Sequence, residues 1–232
     1  MGFPCEQPEN GTGIMSQLPF ELDNATARNY INGEWIDPDN NGFLDVENPS
    51  NGDTLGRVPL STAEEMNKAV EAAHAAYPAW SATPVARRAK PFFELVRLIT
   101  EREDDIARTI ALELGKSLPD SMAEVKRMQE NCEVACGMPV LQQGDTMIGA
   151  STGIDGEVMR LPLGVFGMIA PFNFPGMVPF WFLPYAIATG NTYVVKPSEQ
   201  VPLTMQLMGQ LMDQCGFPEG VINLVNGDKV AG

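Results

Sequence analysis

Three side chains combine reactive chemistry with suggestive spacing: Asn173, set between Phe172 and Phe174, and the pair Lys196 and Glu199. An amide such as Asn173 can donate a hydrogen bond to an oxygen that gains charge during a reaction; in a dry pocket such a donor contributes about 3 kcal/mol. A carboxylate such as Glu199 can accept both hydroxyls of a ribose, and an ammonium three residues earlier can donate to the same sugar. Each has a plainer reading too. An Asn two residues before Pro175 can satisfy its own turn, and a Lys–Glu pair at a strand end can be an exposed ion pair worth little. Type and spacing alone leave both open.

The elements that must position these groups are legible nearby. Val165–Ile169 and Thr192–Val195 are short apolar runs rich in β-branched and aromatic residues, which predicts buried strands. Between them an apolar stretch, roughly Met177 to Ala188, is bounded by Pro175 and Gly190 and has the length of a helix. Strand, crossover helix and strand make a parallel unit that takes ligands outside its carboxyl ends. Asn173 follows the first strand; Lys196, Ser198 and Glu199 follow the second. A helix over Pro202–Gln214 and a strand over Val221–Val225 extend the order to β-α-β-α-β, a mononucleotide-binding half.

The residues Ile169–Trp181 (I-A-P-F-N-F-P-x-M-V-P-x-W), Gly190–Thr192 (G-N-T), Lys196–Glu199 (K-P-S-E) and Arg127–Pro139 (R-x-x-E-N-x-E-x-A-x-G-x-P) carry a resemblance to the aldehyde dehydrogenase superfamily. Within it the chain is most similar to the CoA-acylating methylmalonate-semialdehyde dehydrogenases. The match runs from near Tyr30 to the C-terminus. It implies an α/β fold with an N-terminal helical layer, a partial Rossmann-like parallel sheet and a protruding oligomerisation hairpin. It also implies NAD as cofactor, CoA as acyl acceptor, a small aldehyde substrate and a homo-oligomer.

Residue by residue, the resemblance makes Asn173 the oxyanion donor and Lys196 and Glu199 the ribose contacts. Ala170 and Phe172 would line the cofactor cleft. Gln200 stands where the semialdehyde enzymes often have Arg. Arg127 matches a helix arginine near the substrate carboxylate, a task suited to its forked donors; pairing with Glu124 or Glu130 is the alternative. The family's nucleophilic Cys motif and general-base Glu are not found within the 232 residues, so the chain is read as an N-terminal half, expected to be inactive by itself. The rival readings are a catalytically inactive binding or oligomerisation module and an aldehyde dehydrogenase that does not use CoA.

Bulk properties narrow the field. The formal net charge is −15, and no cluster of Lys and Arg suggests a nucleic-acid surface. No run approaches the roughly 18 apolar residues of a membrane span. Cys5, Cys132, Cys136 and Cys215 lack a disulfide-like spacing, which predicts reduced thiols in a cytoplasmic protein. His74, the single histidine, has no partner at ligand spacing and is read as a boundary residue without a metal.

Four segments are expected: a flexible tail over 1–28, strands and helices of the cofactor domain over 29–143, the hairpin over 144–163, and the first half of the sheet over 164–232. Asn32-Gly33 predicts a hairpin turn, and residues 37–42 a further loop. Ser61 to Glu64 predicts a capping box opening a helix that ends near Pro78. A helix from Pro84 to about Glu101 meets an obstacle at Pro91, which implies a later start or a kink. The outer side of the last strand is expected to be open.

Overall fold

The structure, a computed structural model, describes residues 17–37 and 42–231. The tail expected over 1–28 is described only from residue 17. There Leu18, Phe20 and Leu22 pack against Val46, Val58 and Leu203, and Ala27 is fully buried, so this stretch is part of the fold. Residues 1–16 and most of the 37–42 loop lie outside the described residues.

The turn at Asn32-Gly33 forms as its residue types dictate, with φ of 53° and 81°. It joins strands β1 (Asn29–Ile31) and β2 (Glu34–Ile36). Strands β3 (Phe43–Glu47) and β4 (Thr54–Pro59) make a separate antiparallel pair. Helix α1 (Ala63–Ala82) opens with a capping box one residue later than expected. Thr62 Oγ1 accepts from the Glu65 amide, and the Glu65 carboxylate accepts from the Thr62 amide. Ser61 does not serve because it is buried and its hydroxyl accepts from Asn29 Nδ2 at 2.8 Å.

Helix α1 also runs through Pro78 instead of stopping there. Its last turn is held by Trp80, buried, whose indole N–H donates to the Ile187 carbonyl at 2.9 Å; this packing offsets the backbone bond that proline removes. The Pro91 obstacle resolves as a later start. Helix α2 (Val85–Arg88) is separate, and α3 (Lys90–Glu101) carries Pro91 in its first turn, where no donor is required. Helix α4 (Glu103–Leu114) ends at Gly115 in the left-handed conformation, φ 76°. Helix α5 (Leu118–Cys136) and the short α6 (Met138–Leu141) follow.

Strands β5 (Asp145–Ser151) and β6 (Ile154–Val158) form a hairpin whose first strand is exposed throughout. Strand β7 (Val165–Ile169) then enters the sheet. The single crossover helix expected over 177–188 is split into α7 (Met177–Phe180) and α8 (Leu183–Ala188), because Pro184 has no N–H to continue the first turn. Strand β8 (Thr192–Lys196), helix α9 (Leu203–Asp213) and strand β9 (Ile222–Leu224) complete the chain.

The main sheet has the order β2-β1-β9-β8-β7. β7, β8 and β9 are parallel, and β1 runs antiparallel to β9 through Tyr30 and Leu224. The outer side of β9 is therefore covered by the N-terminal hairpin, contrary to expectation; β2 and β7 are the edges. Helices α3, α4, α5, α8 and α9 fill one side, where Phe92, Ile106, Ile110 and Met128 join Tyr193, Val195 and Leu224. On the other side α1 lays Ala69 and Ala73 against Val194 and Val225.

Candidate active site

Side-chain alternation along the strands creates the first half of the site. Phe166, Met168, Tyr193 and Val195 face the large core, whereas Val165 and Val194 face α1. Because α1 begins only at Ala63, it leaves the carboxyl end of that face uncovered. A groove of about 470 Å³ results, bounded by Met66 and Val70 of α1, by Gly167, Ile169 and Lys196 of the strands, and by Ala231. A Cβ added at Gly167 would meet nothing within 4 Å, so the strand surface there is open.

Ile169 and Lys196 are register partners, and the Ala170 amide continues the ladder by donating to the Lys196 carbonyl at 2.8 Å. Lys196 is buried. Its Nζ donates to the Gly227 carbonyl at 2.8 Å and to the Pro197 carbonyl at 3.1 Å, and lies 3.7 Å from Glu199 Oε2. Two of its three protons are thus committed to backbone carbonyls, one of them tying β8 to the segment after β9. The Glu199 side chain is about one-third exposed (34%), with Lys196 beside it, and keeps acceptor capacity toward solvent. Gln200 is exposed, and its amide donates to Ser198 Oγ at 3.3 Å.

The second half of the site is the turn after β7. Asn173 is exposed and Phe172 is 52% exposed, so these residues do not by themselves make the dry pocket that an oxyanion donor was expected to occupy. The turn is fixed from outside. Lys116 Nζ donates to the Asn173 carbonyl at 3.1 Å and stands 3.9 Å from the Phe174 ring centroid. Lys116 also pairs at 2.5 Å with Glu124, whose other carboxylate oxygen accepts from the Gly176 and Met177 amides at 2.9 and 3.1 Å.

Arg127 is exposed on the next turn of α5 and lines a groove of about 410 Å³ with Lys116, Asp120, Ala123 and Phe174. The pairing of Arg127 with Glu124 or Glu130 does not occur among the described residues, since Glu124 is committed to Lys116. Arg127 and the Asn173 turn therefore share one groove, while Lys196 borders the other, with Glu199 3.7 Å from its ammonium.

Lys116, Glu124 and Glu113 were not singled out by sequence reasoning. Glu113 is buried and accepts from the Leu203 and Thr204 amides at 2.7 and 2.9 Å, capping α9. Desolvation pushes its carboxyl up to about 7, opposed by the bonds from Thr204 and Leu203. The available signal was a charged residue at an apolar-face position, since carboxylates are rarely buried without partners.

No described cysteine is poised as a nucleophile. Burial raises the thiols of Cys132, Cys136 and Cys215, the last to about 12. His74 is exposed, and no cluster of metal-ligating side chains occurs among the described residues. No described helix is long and apolar enough to cross a membrane.

The parallel β-α-β-α-β run, with its ligand-sized crevice at the strand ends, defines a Rossmann-like α/β domain. The chain belongs to the aldehyde dehydrogenase family, whose sequence pattern matches residues 35–232. It is 45% identical over 202 residues to the malonate-semialdehyde dehydrogenase of Lacticaseibacillus casei, covering 87% of this chain and 41% of that protein. The crystal structure of methylmalonate-semialdehyde dehydrogenase from Oceanimonas doudoroffii superposes with a TM-score of 0.84 at 40% identity, over 89% of this chain and 42% of the other. A Sinorhizobium meliloti protein described as a methylmalonate-semialdehyde dehydrogenase, solved with NAD, gives 0.83 at 37% identity over 89% and 42%. The chain thus spans about two-fifths of the length of these relatives.

Proposed function

We propose that this chain forms the cofactor-binding and oxyanion-bearing portion of an NAD-dependent, CoA-acylating semialdehyde dehydrogenase acting on a small aldehyde that carries a carboxylate. The observation that carries this reading is the juxtaposition of the Asn173 and Glu199 turns, which leave the sheet from the ends of the register-paired strands β7 and β8. The names of the relatives supply the substrate class, and the relative solved with NAD supplies the cofactor.

The chain's own residues fit a dinucleotide. The groove floor is apolar and open at Gly167 and Ile169, and Glu199 offers a partly exposed carboxylate beside Lys196, which lines the groove. Glu199 would accept from a ribose, and Lys196 would hold the rim in place through Gly227 more than it would bind the sugar itself. Ala170, the half-exposed Phe172 and the exposed Gln200 would border the cofactor. When bound, NAD accepts hydride from the aldehyde carbon.

Asn173 Nδ2 would donate to the aldehyde oxygen as a thiolate adds to the carbon and charge develops there. Arg127 would hold the substrate's carboxylate by two parallel N–H bonds, with no competing carboxylate partner among the described residues. The thiolate and the general base that this chemistry requires are not among the described residues. The exposed β5–β6 hairpin would serve as the contact between subunits of a homo-oligomer. Calorimetric titration of the 232-residue chain with NAD tests the reading. Saturable binding supports it, and heats indistinguishable from dilution overturn it.

A further inference from the structure

The turn that carries Asn173 has little holding it from within. Pro175 lacks an amide proton, α7 is only four residues long, and the internal bonds Val178 N to Phe174 O and Phe180 N to Gly176 O are long, at 3.3 and 3.4 Å. What fixes it comes from two other helices. Glu124, on α5, has a side chain only 1% exposed; one of its carboxylate oxygens binds the two successive amides of Gly176 and Met177, and the other takes Lys116 Nζ. Lys116, just past the end of α4, reaches on to the Asn173 carbonyl and covers the Phe174 ring. The pair therefore grips the turn on both sides of Pro175, once at Asn173 itself and once three and four residues later.

We propose that Lys116 and Glu124 are positioning residues for the Asn173 side chain: an ion pair, buried on the Glu124 side, that fixes the backbone of residues 173–177 and thereby aims the amide. This rests on the reading of Asn173 as the oxyanion donor. Two features favour positioning over stabilisation alone. A buried Lys–Glu pair is weak evidence for stabilisation, because desolvating both charges offsets their attraction, and a Lys with Glu124 as its only partner would not need to reach the Asn173 carbonyl. The polar capacity of the pair is also fully used within the turn. Both oxygens of Glu124 are occupied, and Lys116 Nζ is shared among a carboxylate, a carbonyl and a ring. Neither group is left to bind substrate. The pair is neutral as a unit, which leaves Arg127 to supply positive charge to the same groove.

Nuclear magnetic resonance of the ¹⁵N-labelled 232-residue chain tests this without aldehyde, thiolate or cofactor. Lys116→Met removes the donor to the Asn173 carbonyl, and Lys116→Gln removes the charge and draws the donor back along a shorter side chain; Lys116→Arg keeps a charged donor. The expected result is a displaced Asn173 side-chain amide resonance in both neutral variants. Exchange of the Gly176 and Met177 amides should be about tenfold faster, the scale of a lost charge-assisted hydrogen bond. Lys116→Arg should restore both readouts, while the melting temperature distinguishes a loosened turn from an unfolded chain. An Asn173 resonance unchanged in the folded Met and Gln variants overturns the proposal. Loss of NAD binding would instead sink the functional reading and leave this measurement standing, so the two failures are separable.

Discussion

The Lys196 ammonium lies 2.8 Å from the Gly227 carbonyl, thirty-one residues further along the chain, and 3.7 Å from the Glu199 carboxylate. One buried cation thus joins the end of β8 to the segment beyond β9 and sits beside a partly exposed carboxylate. The proposed function divides structural and binding roles between these neighbouring residues, and that division can be measured.

Glu199→Ala should weaken NAD binding by about tenfold to a hundredfold, the range of a lost charge-assisted hydrogen bond, with little effect on melting because the side chain is partly exposed. Paired calorimetric and thermal measurements check both halves of this expectation. Equal NAD affinity in the variant and the parent would remove Glu199 from the site.

Lys196→Met should act in the opposite way, on stability first. It leaves the Gly227 and Pro197 carbonyls without their donor in a buried setting, at a cost of about 1–3 kcal/mol each where water cannot enter. Denaturant unfolding followed by circular dichroism reads this directly. A variant as stable as the parent would contradict the tethering role.

Glu113 predicts a pH dependence of folding. Its carboxyl titrates near 7 in the folded chain, mainly through desolvation, against an ordinary value of 4.5. The folded state therefore holds a proton that the unfolded state has released between those values. This contribution to stability is fully present below about pH 4.5 and is lost as pH rises to about 7. Glu113→Gln keeps an acceptor for the α9 amides and removes the titration. Melting of the parent minus that of the variant should fall across this window and be flat above it; a constant difference would refute the assignment.

Gly209 in α9 lies against Trp35, and a Cβ there would sit 2.9 Å from the indole ring and 3.4 Å from Leu224. Gly209→Ala should lose about 1–3 kcal/mol by overpacking despite the better helix propensity of alanine. Trp35 Nε1 donates to Asp213 at 3.1 Å, so tryptophan fluorescence should shift as well. A stabilised variant with an unchanged spectrum would show that the contact relaxes freely.

Local chemistry explains what was legible in the residues themselves. Asn32-Gly33 specified its hairpin turn, Gly115 its helix end, and the β-branched runs at Val165 and Thr192 their strands, because each depends on backbone sterics within a few residues. Asn173 and Glu199 could be placed at the ends of parallel strands for the same reason, and the motifs around them carried the family resemblance. Ser61 in place of Thr62 as the cap, and Pro78 as a helix end, were misplaced because partners far away in sequence decided them: Asn29 and Ile187.

Only the tertiary structure put β1 beside β9, Glu124 beneath Gly176, and Lys196 against Gly227. These contacts join segments 31 to 194 residues apart, and no local preference encodes them. They form because buried amides, carbonyls and charges must find partners once the apolar faces have packed, and the packing fixes which partners lie within reach.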